Sequence, residues 1–109
     1  MRRFGQLIRI DPSRINEYAD LHEDIWPEIV SALCAAGIRN YSIYSHDDWL
    51  FGYFEYHGPE DKFDQRMEEL AKAPRMNEWW TIMGDMQRPL PDRQPGEFWK
   101  DMRCVFKLD

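Results

Sequence analysis

His22 is the side chain in this sequence best suited to exchange a proton near neutral pH, because an unperturbed imidazole titrates close to 6.5. Tyr18 precedes it by four residues, so on a helix a phenol and an imidazole share one face. Ile15, Tyr18, His22, Ile25 and Ile29 recur at threes and fours, the spacing of an apolar helical stripe. On the residues alone, His22 reads equally as a structural histidine bonded to a backbone carbonyl or as the acid/base of an active site. Glu23, Asp24 and Glu28 lie close by in sequence, and Pro27 interrupts the stripe.

Trp79 and Trp80 form the second chemistry-bearing feature. Adjacent helical residues point about 100° apart, so one ring can enter the core while the other faces a groove. An indole offers a flat apolar face with an N–H at its edge. That shape suits the C–H faces and hydroxyl rims of a sugar, although core packing uses the same rings. Tyr41, on a strand, carries a phenol able to bond a hydroxylated ligand. Glu68-Glu69 and Asp47-Asp48 read as solvated surface.

Other chemistries lack their residues. There is no glycine-rich phosphate loop or dinucleotide fingerprint. His22, His46 and His57 show no metal-ligand spacing. Cys34 and Cys104 are not in a CxxC pair and read as reduced core thiols of a cytosolic protein. The net charge of -6 argues against nucleic acid, whose phosphates call for excess Lys and Arg. No apolar run approaches the roughly 20 residues of a membrane span, and Phe4–Arg9 is too short for a signal peptide. The chemistry left is cofactor-free proton transfer on a small hydroxylated substrate.

The elements that must position these groups follow from periodicity. A length of 109 residues suits a single domain. Arg3 to Ile10 reads as a strand with Phe4, Ile8 and Ile10 on one face and Leu7 on the other. Asp11 or Ser13 caps the helix carrying His22. Pro27 ends it and restarts a second piece, proline favouring a first helical position, which runs to Gly37. Ile38 to Ser45 and Trp49 to Tyr56 read as a hairpin around His46-Asp47-Asp48. A helix with Phe63, Met67, Leu70 and Ala71 inward breaks at Pro74 and resumes through Met76, Trp79, Trp80 and Met83. Pro89, Pro91, Pro95 and Gly96 mark 87–96 as a loop or arm. Met102 to Leu108 alternates as a last strand.

The order β-α-β-β-α-β predicts a ferredoxin-like α+β fold. One sheet face would pack on helices. The other would carry Tyr41, Ile43 and aromatics of the third strand. So apolar a face is unfavourable in water, so either a ligand or a second copy of the chain is expected to cover it, with a homodimer favoured.

Tyr18-x-x-x-His22, Ile25-Trp26-Pro27-Glu28, Asn40-Tyr41-Ser42-Ile43-Tyr44, Trp79-Trp80 and Val105-Phe106-x-Leu108 together resemble the L-rhamnose mutarotase family over nearly the whole chain. The resemblance implies a dimeric α+β barrel that interconverts the α and β anomers of a 6-deoxy sugar. Carried over by position, it makes His22 the catalytic acid and Tyr18, Tyr41, Trp79 and Trp80 the substrate contacts. It implies a monosaccharide substrate, a homodimer and no cofactor. The expected mechanism has His22 donating to the ring oxygen, with Tyr18 or a nearby carboxylate assisting at O1. The aromatic run Trp49-Leu50-Phe51-Gly52-Tyr53-Phe54 and the Pro89–Trp99 arm depart from the family's pattern, and L-fucose competes with L-rhamnose as substrate. A cofactor-free monooxygenase of similar architecture and a non-enzymatic ligand-binding dimerisation module are the rival classes.

Overall fold

The computed structural model describes residues 1–109. Strand β1 spans Arg2–Ile10, helix α1 Ile15–Glu23 and helix α2 Pro27–Ala35. The hairpin is β2, Ile38–His46, and β3, Trp49–Tyr56; helices α3, Phe63–Ala71, and α4, Met76–Met86, follow. Two short strands, β4 at Gln87–Arg88 and β5 at Lys100–Asp101, close the order. The sheet runs β2-β3-β1-β4, with β5 also on β1, and every described pairing is antiparallel. This is the expected ferredoxin-like α+β arrangement.

Local chemistry sets the breaks. Asp11 accepts from the Ser13 backbone N–H at 3.0 Å and from its hydroxyl at 2.8 Å, closing a 3-10 turn at Pro12–Arg14 before α1. Trp26 is extended at ψ 134, and Pro27 begins α2 where its missing N–H has no partner to lose. Gly37, at φ 86, turns the chain out of α2. Arg75 takes the left-handed conformation at φ 63 between α3 and α4.

Ile8, Ile10 and Leu50 are buried beneath the helices, where Ile29, Leu70, Met76, Trp79, Met83 and Met86 meet them, and Tyr56 is buried with its ring edge-on to Phe63. The register places Ile8 opposite Leu50 and Arg2 opposite Tyr56, so even-numbered residues of β1 and β3 share this face. Trp99 of the arm reaches the same face. Gly52 leaves room for it, since a Cβ there would come within 3.2 Å of the indole.

The structure corrects four expectations. Tyr41 and Ile43 lie on the helix-covered face. The β2 ladder shifts register between Arg39 and Ser42, with Asn40 left-handed at φ 53. That extra residue is a β-bulge. It lets Ile38, opposite Tyr56, and Ile43, opposite Gly52, share a face although they are five positions apart. The far face instead carries Leu7, Tyr44, Trp49, Phe51 and Tyr53. Second, Met102–Leu108 forms no strand. The ladder reaches only the Met102 N–H, 2.8 Å from the Gly5 carbonyl, and the alternating side chains beyond it face water. Third, Cys34 and Cys104 are free but exposed, one near the end of α2 and one in this tail. Fourth, Ala71 ends α3 exposed, leaving Leu70 as that helix's buried residue.

Candidate active site

A cleft of about 690 Å³ opens between the helices and β2, lined mostly by apolar side chains. That volume falls in the range of about 300–1,000 Å³ of small-molecule sites. Tyr18 and His22 enter it from α1, Tyr41 from β2, and Trp79 and Trp80 from α4. All five residues singled out in the sequence therefore meet in one cavity, although they span more than half the chain.

His22 is half-buried. Its Nδ1 lies 2.8 Å from the Tyr18 carbonyl oxygen, one turn back. A carbonyl only accepts, so Nδ1 carries the proton and the neutral ring leaves Nε2 as an acceptor. Burial lowers the His22 pKa from its ordinary value, partly opposed by the carbonyl bond. The ring is packed on two sides. Its centroid lies 4.3 Å from that of Tyr18 and 5.3 Å from that of Trp79, the latter edge to face. Trp79 in turn meets Trp26 at 5.2 Å, and the Arg75 guanidinium sits 3.7 Å from the Trp26 centroid. Glu28 and Glu78 hold Arg75 in place at 3.1 and 3.2 Å. The imidazole thus sits between buried Tyr18 and a row of edge-to-face indoles that runs through Trp79 and Trp26 to Arg75.

Tyr18 is buried. Its hydroxyl accepts a hydrogen bond from the Gln87 side-chain amide at 3.1 Å. Burial raises its pKa, and the Tyr41 phenol adds to the rise. The Tyr41 hydroxyl is also pushed up, to about 12, by burial. Its ring borders the open cleft and so keeps 42% of the residue exposed. Both phenols stay protonated at neutral pH. The tryptophans divide as their spacing allows: Trp79 is 5% exposed, within the core, and Trp80 is 44% exposed at the rim.

The carboxylates near His22 in sequence do not line the cleft; Glu28 is turned to Arg75. Tyr18 is the phenol in contact with the imidazole, and Tyr41 lines the same cleft. Sequence reasoning missed Gln87, which it placed in the arm. The signal was faint, since one glutamine before Pro89 has no periodicity to mark it.

A family model described as L-rhamnose mutarotase matches residues 3–108. The chain belongs to the L-rhamnose mutarotase family. A relative with that name from Burkholderia orbicola is 35% identical over 94% of this chain and 93% of its own. Another L-rhamnose mutarotase, from Opitutus terrae, is 40% identical over 85% of each chain. Among solved structures, an L-rhamnose mutarotase from Formosa agariphila matches over 100% of both chains, with a TM-score of 0.76 at 22% identity. At that identity the match speaks for the fold, while the sequence relatives carry the family. A mutarotase is an enzyme, and a hydroxyl-rich sugar is consistent with a cleft that has an apolar lining and few polar groups.

Proposed function

We propose that this chain is a mutarotase of the aldose 1-epimerase type, acting as one domain on L-rhamnose in the cytoplasm. The observation that carries this is the meeting of the His22 imidazole with two protonated phenols in an apolar cleft bordered by Trp79 and Trp80. In the proposed reaction the His22 Nε2 lone pair takes the proton from the C1 hydroxyl. The ring C1–O5 bond breaks, C1 becomes the aldehyde carbon, and O5 takes a proton from the Tyr18 hydroxyl. A phenol is a stronger acid than the secondary alcohol it helps to form, so it suits that role even with its pKa raised. Rotation about C1–C2 and reversal of both transfers close the other anomer. The tautomer held by the Tyr18 carbonyl favours His22 accepting first and donating on ring closure.

The magnitudes match. Sugars mutarotate unaided in water, and positioned acid/base groups contribute about 10² to 10⁴-fold. Trp80 at the rim and the apolar wall would take the C–H face and the 5-methyl group, with Tyr41 bonding a hydroxyl. L-Fucose has the same 6-deoxy character, so the two sugars are compared directly. Saturation-transfer NMR on L-rhamnose and L-fucose should show anomer exchange above the spontaneous rate, faster for L-rhamnose. No acceleration with either sugar would overturn the reading.

We also propose a homodimer. Tyr44 and Phe51 sit directly opposite each other on the far sheet face, 65% and 46% exposed, and β2 is an edge strand beside them. A second copy covering this face would remove that surface from water. Light scattering on the eluted protein should give twice the chain mass.

A further inference from the structure

Gln87 stands where α4 gives way to β4, at φ -91 and ψ 153. Its backbone is fixed on the sheet opposite Ile10, and the Met86 carbonyl just before it accepts from the Asp11 N–H at 2.9 Å. Its side chain lies in the interior. At 5% exposure it is the one residue of polar type among those buried. An amide in that position costs free energy unless it is bonded, and a methionine would fill similar space without that cost. Its partner is the Tyr18 hydroxyl oxygen, 3.1 Å from Nε2.

The consequence is orientational. A phenolic proton lies near the ring plane and has two main positions. When the Gln87 N–H points at the oxygen from one side, the proton cannot occupy that side. It turns to the other, and Tyr18 is one of the residues lining the cleft. We propose that Gln87 is a positioning residue that sets the Tyr18 hydroxyl with its proton directed at the sugar; this rests on the role given to Tyr18 above. The amide is uncharged, and Gln87 is not among the residues that line the cleft, so it competes for no substrate hydroxyl. An amide turned the other way would put Oε1 against the hydroxyl and draw the proton from the cleft. Gln87→Glu imposes that arrangement at a pH high enough to ionise the buried carboxyl, where the exchange is measured, since a carboxylate only accepts.

The test uses the intact protein and five forms: wild type, Gln87→Met, Gln87→Glu, Tyr18→Phe and the double variant Tyr18→Phe/Gln87→Met. Exchange of L-rhamnose anomers is measured at several sugar concentrations. Loss of one hydrogen bond should lower kcat by about tenfold in Gln87→Met, with KM little changed. Gln87→Glu should lose more. In the Tyr18→Phe background Gln87→Met should cost nothing further, since the group it orients is gone. An equal loss in both backgrounds overturns the proposal, as does Gln87→Glu at wild-type kcat. In parallel, the 13Cζ resonance of labelled Tyr18 should move in Gln87→Met without any sugar present. An unmoved resonance overturns the pairing whatever the exchange rates show. A moved resonance with no wild-type exchange overturns the sugar reading while upholding the contact.

Discussion

The Nδ1 of His22 lies 2.8 Å from the backbone carbonyl of Tyr18, the residue whose side chain stacks beside its ring. One residue therefore both fixes the tautomer and supplies the neighbouring phenol. An i to i+4 spacing makes this possible, since the carbonyl of Tyr18 and the side chain of His22 meet along one turn. The bond to a carbonyl is also what a structural histidine would make. Here His22 also lines a cleft that two phenols share.

The first prediction concerns pH. Burial lowers the His22 pKa from 6.5, and the neutral ring is the form that accepts the C1 proton. Activity should hold as pH falls through 6.5 and drop only through the lowered value. The same shift affects stability. Folded His22 binds its proton less tightly than the unfolded chain, so stability declines as pH falls from 6.5 toward the folded value. A pH profile of kcat/KM checks the first point, since a midpoint at or above 6.5 contradicts it.

Trp79 and Trp80 should separate when truncated. Trp79 packs in the core against His22 and Trp26. Trp79→Ala should cost about 3–5 kcal/mol of stability, as large core deletions do, measured by urea unfolding. Trp80→Ala should leave the unfolding midpoint nearly unchanged while raising KM severalfold. Equal loss of stability in both would contradict their division between core and rim.

The bulge in β2 should control Tyr41. The Asn40 side-chain amide donates to the Glu55 carboxylate at 2.8 Å, while its backbone sits at φ 53. Asn40→Val places a β-branched residue in a conformation it strongly disfavours, so the bulge should relax and Tyr41 lose its place in the cleft. Asn40→Gly keeps the backbone conformation open. KM for L-rhamnose should rise much more in Asn40→Val than in Asn40→Gly. Similar values in the two variants would contradict the link.

Glu55 gives that bulge an acid-sensitive anchor. The Tyr53 hydroxyl donates to it at 2.6 Å, with His57 and Asn40 on its other oxygen, and together they lower its pKa to about 2. Its contribution to stability is fully present above the ordinary value of 4.5 and is lost as pH falls toward about 2. Glu55→Gln should remove this part of the slope, seen as a flatter plot of unfolding free energy against pH across that range.

Much of the site was legible because helical periodicity is strong. The stripe from Ile15 to Ile29 placed Tyr18 and His22 on one face, and the Trp79-Trp80 pair implied one ring in the core and one at a rim. Pro27 and Pro74 announced their breaks through the missing N–H. The face of Tyr41 was not legible, because a bulge inverts strict alternation and Asn40 gives little sign of it in sequence. The 102–108 stretch misled for the opposite reason. Its alternation is real, but alternation does not by itself supply a neighbouring strand to pair with, and beyond Met102 the chain finds none. Cys34 and Cys104 followed apolar neighbours in sequence, but Cys34 is exposed although Leu33 and Ala36 beside it meet the core, and Cys104 lies in an exposed tail.

The most direct measurement is L-rhamnose anomer exchange by saturation-transfer NMR in His22→Ala, with the fold checked by its amide spectrum. The variant should keep a dispersed, native-like spectrum and exchange anomers only at the spontaneous rate. A folded His22→Ala protein that exchanges them at the wild-type rate would contradict the assignment of His22 as the group that moves the proton.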